Sequence, residues 1–278
     1  GPKLAGFVKQ AKKLTPKKEI LIHCWRGGMR SGSMAWLFET AGMKAFTLEG
    51  GYKAYRHYIR EHFSRPVEMI VLGGFTGSGK TDILKILEKQ GEQFLDIESI
   101  AHHKGSVFGP LGQEPQPTNE QFENNLADAW RKFDFKKRIW IEDESRQLGK
   151  CVLPDPLFFR IRKAPVIKII VPKPEREKRL VKEYGGFKKE LLTEQLVKIR
   201  ERLGGQYLKE ALKALKTYDL QTVAGITLRY YDKAYDYGAL QRPPEKVVEL
   251  AVEQDNPGEN ARKIVEFVKN NNFKYFKL

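Results

Sequence analysis

Short apolar runs recur along this chain, and a stretch with helical spacing follows almost every one. Residues 19–23, 45–48, 69–72, 94–97, 138–141, 166–171 and 247–252 read as strands, those at 19–23, 69–72 and 166–171 as buried ones, because each is a brief, mostly unbroken apolar run bounded by turn or charged residues. Apolar residues spaced by three and four predict helices between them. One is a short helix carrying Phe7, Val8 and Ala11, and others cover 32–41 and 53–63. A further helix carries Ile83, Leu84, Ile86 and Leu87. Later helices are predicted over 119–133, 175–184, 189–203, 206–217 and 219–232, and from Asn256 onward. Strand-helix alternation of this kind makes an α/β fold with a mostly parallel, doubly wound sheet. Ser64-Arg65-Pro66 reads as a linker, since proline disfavours helix at the residue before it. The expected domains are therefore 3–64 and 66–278, the second carrying a helical region over about 173–238.

The second domain opens on Gly74-Phe75-Thr76-Gly77-Ser78-Gly79-Lys80-Thr81, which fits the phosphate-binding P-loop pattern between a strand and a helix. Gly74, Thr76, Gly77, Ser78 and Gly79 can turn backbone N–H groups toward phosphate oxygens, and Lys80 can reach the outer phosphates. The Thr81 hydroxyl can ligate Mg²⁺. Asp96 and Glu98 stand where the next strand ends, beside the phosphate site in a sheet of this type, and Asp96 is the candidate contact. The run 138–141 ends in Glu142-Asp143-Glu144-Ser145-Arg146, where an acid can hold Mg²⁺ or orient a nucleophile. Asp143 or Glu142 can take that part and spacing does not choose. Asp143 is our candidate for both the catalytic and the metal role, with Arg146 as a phosphate contact. His102 and His103 are adjacent, so they point apart and make a poor metal pair. The Pro-, Gly- and Gln-rich segment 110–118 reads as a lid loop. Cys151, among prolines, reads as structural.

The first domain carries a different chemistry. The strand at 19–23 runs into Cys24-Trp25-Arg26-Gly27-Gly28-Met29-Arg30-Ser31 and then into a helix. Inward N–H groups, a helix N-terminus and Arg26 or Arg30 would all favour thiolate at Cys24. The same cup can hold an oxyanion or a persulfide.

Composition sharpens this picture. The 278 residues carry a formal charge of +15, which points to a polyanionic partner such as nucleic acid, or else to a lysine-rich proteome. Residues 173–216 hold 13 Lys or Arg against 7 Glu and no Asp, a concentration suited to closing over phosphates or to binding an RNA backbone. Tyr230, Tyr231, Tyr235 and Tyr237 lie among charges, where they can stack on bases or pack the helix. No apolar run approaches the roughly 20 residues that span a bilayer. Two cysteines far apart make no disulfide framework and fit a reducing cytoplasm. The opening Gly1-Pro2, without Met, reads as a scar of tag removal, so the natural start is expected upstream.

The strand, cysteine loop, helix, strand and Glu49-Gly50-Gly51 turn resemble the second half of a rhodanese domain. Joined to a P-loop about 45 residues on, and to Glu142-Asp143-Glu144-Ser145-Arg146, the loop is similar to that of the tRNA 2-selenouridine synthase family. The resemblance covers most of residues 20–240 and implies a two-stage conversion at the tRNA wobble position. A 2-thiouridine sulfur is alkylated from geranyl diphosphate, and selenium from selenophosphate then replaces the geranylthio group. It places the diphosphate on the P-loop with Mg²⁺, and the selenium step at Cys24 with Arg26 and Arg30, the thiolate attacking either selenium or the C2 carbon. It also implies a first rhodanese half, either removed or supplied by another chain. Two other readings are a P-loop kinase with a relict rhodanese fragment and a tRNA-binding subunit without chemistry of its own.

Overall fold

The computed structural model of the chain describes residues 1–239 and 242–270, and of residues 236–239 the backbone alone. The segment 273–278, expected to fray, lies outside the described residues, as does the Tyr237 side chain. Two compact units divide the chain, Gly1–Phe63 and Ser64–Leu278.

The first unit runs α1 (Pro2–Leu14), β1 (Glu19–Ile22), α2 (Met29–Thr40), β2 (Lys44–Thr47) and α3 (Gly51–His62). β1 and β2 pair in parallel, from Glu19 opposite Lys44 to Ile22 opposite Thr47, with α2 as the crossover. Ala11, Phe38 and Met43 form its core, and Val8, Ile20 and Ile22 pack on them.

The second unit begins with β3 (Met69–Gly74), α4 (Lys80–Lys89), β4 (Gln93–Leu95), α5 (Ile97–Ala101), α6 (Asn119–Trp130) and β5 (Ile139–Glu142). A small antiparallel hairpin follows, β6 (Gln147–Leu148) and β7 (Cys151–Val152), then α7 (Asp155–Lys163) and β8 (Val166–Ile170). The basic region is helical: α8 (Lys173–Tyr184), α9 (Lys189–Lys198), α10 (Arg200–Leu203), α11 (Gly205–Lys216) and α12 (Leu220–Ala239). β9 (Val247–Ala251) and α13 (Pro257–Asn270) complete the unit.

Five strands form one parallel sheet in the order β4-β5-β3-β8-β9. β3, which leads into the P-loop, is central and buried at all six positions, as expected for a parallel strand covered on both faces. Ile83, Leu84 and Leu87 of α4 share a buried cluster with Ile70 and Leu72 of β3 and with Ala261, Ile264 and Val268 of α13. A separate cluster holds the basic helices together through Leu192, Leu196, Ile199, Leu208, Ala211 and Val223. Among the described residues no helix is long and apolar enough to cross a membrane.

Several elements differ from the pattern read off the sequence. β4 stops at Leu95 because the Asp96 carboxylate accepts the Ser99 N–H at 2.9 Å and caps α5. α7 was not expected, since Pro154 and Pro156 flank its start, yet proline is tolerated in a first helical turn, where its missing N–H costs nothing. Cys151 sits buried in β7 rather than in a loop. The segment 110–118 is tied down rather than poised as a free lid. The Gln116 amide donates to Ala101 O and Leu148 O at 2.9 Å and accepts from Lys150 N–H.

Leu84 is fully buried where α4 meets the sheet and α13. Leu84→Ala is expected to destabilise the second unit by about 2–5 kcal/mol, read as a lower urea midpoint with an unchanged slope.

Candidate functional site

The phosphate cradle follows from how β3 gives way to α4. Gly79 is the helix N-cap at φ 74°, a left-handed backbone conformation that favours glycine. The N–H groups of the first turn, from Lys80 on, have no intrahelical partner and favour an anion. Lys80 is buried. Its Nζ donates to the Gly74 carbonyl at 3.1 Å and lies 5.5 Å from the Tyr235 ring centroid. Burial alone pulls the Lys80 ammonium down, but Tyr235, Glu142, Glu144 and Glu98 more than offset this and hold it above its ordinary value.

Three carboxylates complete the cradle. Glu98, Glu142 and Glu144 bring ligand oxygens within 4.8 Å of one another. Thr81 Oγ1 donates to Glu98 Oε2 at 3.4 Å and also bonds Glu142. Burial first, and for Glu98 and Glu144 the neighbouring carboxylates next, push all three acids up from the usual carboxylate range. Glu142 Oε1 and Ser78 Oγ are buried without a hydrogen-bond partner in the structure. An all-oxygen set with repelling charges and an unpartnered buried oxygen fits a hard dication such as Mg²⁺.

The surrounding chamber, of about 450 Å³, is lined by Thr76, Gly77, Ser78, Gly79, Lys80 and Thr81 together with the three glutamates, Arg179 and Lys182. α8 is bolted to its rim. Arg176 reaches Thr76 O at 3.3 Å and forks onto Asp232 of α12 at 2.8 and 2.9 Å. Arg179 pairs with Asp255 at 2.9 Å and with Asp82.

Of the residues expected here, the structure gathers Gly74 and Thr76 to Thr81 but not three others. Asp143 is turned away from the three glutamates. Its Oδ1 accepts from the buried Arg242, with Arg162 at 3.9 Å. β5 ends at Glu142 and the Glu144 N–H turns back onto Glu142 O at 3.0 Å, and it is Glu142 and Glu144 that line the chamber while Asp143 does not. Arg146 is exposed and paired with Asp155. Asp96 is spent on capping α5 and lies 3.8 Å from Lys85. Glu144, read only as part of the acidic motif, Tyr235, expected to stack on bases or pack its helix, and Arg179, one cation of the basic region, line the chamber in roles the sequence did not assign them. Tyr231, one of the four tyrosines expected to stack on bases or pack the helix, is buried and accepts from Val107 N–H at 3.2 Å.

Cys24 stands in the first unit, between β1 and α2. The loop is braced by the turn after β2: Tyr52 N–H donates to Cys24 O and Lys53 N–H to Trp25 O, each at 3.0 Å. A Cβ on Gly51 would meet Cys24 O at 2.4 Å, so the brace needs glycine. The thiol is brought down to about 6, chiefly by the Ser31 hydroxyl at 3.3 Å and the Gly28 N–H at 3.3 Å. The Ser31 hydroxyl also reaches Gly28 O at 3.0 Å, so its one proton can turn from that carbonyl to the sulfur as the thiol ionises. Arg26 and Arg30 are exposed and make no ion pair among the described residues, so the thiolate is set by Ser31 and backbone N–H groups rather than by these guanidiniums.

A family model described as the tRNA 2-selenouridine synthase AAA domain matches residues 67–255. The tRNA 2-selenouridine synthase of Aeromonas salmonicida is 34% identical over 270 residues, covering 84% of this chain and 70% of that protein. That of Shewanella woodyi is 34% identical over 278 residues, covering 87% and 72%. The chain belongs to the tRNA 2-selenouridine synthase family. A third member, from Bdellovibrio bacteriovorus, is 40% identical over 195 residues, covering 65% of this chain and 50% of its own. The synthase AAA-domain match spans the P-loop, the three glutamates and the helices from α8 to α12, while Cys24 precedes it.

Two outcomes test this geometry. The rate of Cys24 alkylation by iodoacetamide should rise to a plateau with a midpoint near pH 6, because a lowered pKa leaves the thiolate dominant above that value. Ser31→Ala should move the midpoint up by about one unit. Asp143→Asn should cost about 3–5 kcal/mol in unfolding experiments, by leaving Arg242 buried beside a neutral partner, without weakening Mg²⁺ binding; Glu142→Gln should do the reverse.

Proposed function

We propose that this chain performs the two-stage chemistry implied by its family: S-geranylation of a 2-thiouridine in tRNA, followed by exchange of the geranylthio group for selenium. The observation that carries this reading is the pairing, in a member of that family, of two differently built anion sites. One is a P-loop cradle with a buried lysine facing three carboxylates, and the other is a cysteine loop that favours thiolate.

In the first stage the P-loop N–H groups and Lys80 hold the diphosphate of geranyl diphosphate. Thr81, Glu142, Glu98 and Glu144 would hold Mg²⁺, which when bound neutralises charge on the departing pyrophosphate. The thiouridine sulfur attacks C1 of the geranyl group, the C1–O bond breaks, its electron pair leaves with pyrophosphate, and the N3 proton of the thiouridine passes to solvent. Lys80 leaves the Gly74 carbonyl for the departing oxygens, so its stabilisation is realised where charge develops.

In the second stage Cys24 serves the selenium exchange in a rhodanese-like loop, with Arg26 and Arg30 exposed to meet selenophosphate. Over the whole stage, S-geranylthiouridine, selenophosphate and water give selenouridine, geranylthiol and phosphate. Lys209, Lys213 and Lys216 lie on one exposed face of α11, spaced to track RNA phosphates; most cations of α8 are instead engaged in ion pairs.

The test is incubation with 2-thiouridine-containing tRNA, Mg²⁺ and geranyl diphosphate, followed by nucleoside mass spectrometry. A geranyl mass gain is expected, falling about 100-fold or more in Lys80→Ala and surviving in Cys24→Ala. Addition of selenophosphate should then convert the product in the parent chain but not in Cys24→Ala. Lys80-dependent ATP hydrolysis with no geranyl gain would favour a P-loop kinase instead.

A further inference from the structure

The phosphate chamber continues into a second cavity. Thr76, Ser106, Leu180, Tyr184 and Tyr231 line both, and the second, of about 50 Å³, is walled beyond them by Phe108, Leu192, Leu220, Val223 and Ala224. Leu192 and Val223 are buried members of the cluster that holds the basic helices together, so the slot runs into the helical region's own core.

Beyond the residues shared with the phosphate chamber, the slot's one side-chain hydroxyl, on Thr227, is already engaged, as is that of Tyr231 at the shared rim. The Thr227 hydroxyl donates to Val223 O and Ala224 O, each at 3.0 Å. The Tyr231 hydroxyl accepts from Val107 N–H at 3.2 Å and bonds the Ser106 side chain. The ring edge of a purine, which needs hydrogen-bond partners when buried, finds none there, whereas hydrocarbon gains in proportion to the apolar area it covers. The slot holds about a third of the volume that takes a benzene ring in an engineered apolar cavity, so it suits the end of a chain rather than a ring system.

We propose that this slot receives the hydrocarbon end of an isoprenyl diphosphate whose head lies on the P-loop, and that Leu192, Leu220 and Val223 limit the chain length accepted. The proposal rests on the reading of the P-loop chamber as a diphosphate site. It adds that the basic helical region, besides closing over phosphates, measures the alkyl group.

Binding to the full chain with Mg²⁺, followed by calorimetry, tests it with inorganic pyrophosphate and with dimethylallyl, geranyl and farnesyl diphosphates. Geranyl diphosphate should bind at least tenfold more tightly than pyrophosphate. Ala224→Phe, which fills the slot, should remove most of that advantage while pyrophosphate affinity stays within about twofold, a check that the P-loop remains folded. Leu220→Ala, at the half-buried start of α12, should shift preference toward farnesyl diphosphate. Equal binding of pyrophosphate and geranyl diphosphate by the parent chain, or an unchanged chain-length preference in both variants, overturns the proposal. Chain-length selectivity that follows the variants without any transfer to tRNA sinks the alkylation reading and leaves the slot assignment standing.

Discussion

The second unit is built around one constraint: a lysine ammonium and three carboxylates must share a small buried volume at the end of β3. Lys80 cannot leave this volume, because it begins α4 and α4 is locked to the sheet and to α13 by Ile83, Leu84 and Leu87. The glutamates arrive from two other strand ends, Glu98 after β4 and Glu142 and Glu144 at β5, so the strand order itself assembles the charge cluster. Burial makes each charge costly alone, and opposite signs at close range make the set tolerable. What remains unbalanced is an excess of acidic groups over the one lysine.

That constraint also explains the ion pairs of α8. Arg176 and Arg179 are spent on Asp232, Asp255 and Asp82, which fixes the basic helices against the turn carrying Gly77 and Gly79. A helical region rich in cations can serve two ends at once. The inward arginines fix the roof of the phosphate chamber, while Lys209, Lys213 and Lys216 stay exposed on α11. The cysteine site solves a different problem with neutral groups: a hydroxyl and backbone N–H groups favour the thiolate, and Arg26 and Arg30 stay exposed.

Much of this architecture was legible along the chain. The seven expected strands all occur, but β1, expected to be buried, leaves Glu19 and Leu21 exposed, because the two-stranded sheet of the first unit does not cover both of its faces. The P-loop and the Cys24 loop were recognisable because glycine spacing encodes a backbone shape. The errors have physical causes. α7 was missed because two prolines look like a break when they in fact open a helix. The lid expectation at 110–118 missed Gln116, whose tertiary hydrogen bonds cannot be inferred from a Pro- and Gly-rich composition. Asp143 stood in the right motif, but its partner Arg242 lies 99 residues away in sequence.

The sequence by itself determined the strand-helix order, the glycine-rich turn before Lys80 and the cysteine loop between β1 and α2, since each depends on local residue type and spacing. Only the tertiary structure decided which acids face Lys80, which arginines are spent on ion pairs, and that an apolar slot opens beside the phosphates. Those outcomes depend on which distant side chains the sheet order and helix packing bring within a few ångströms, and no local pattern carries that distance.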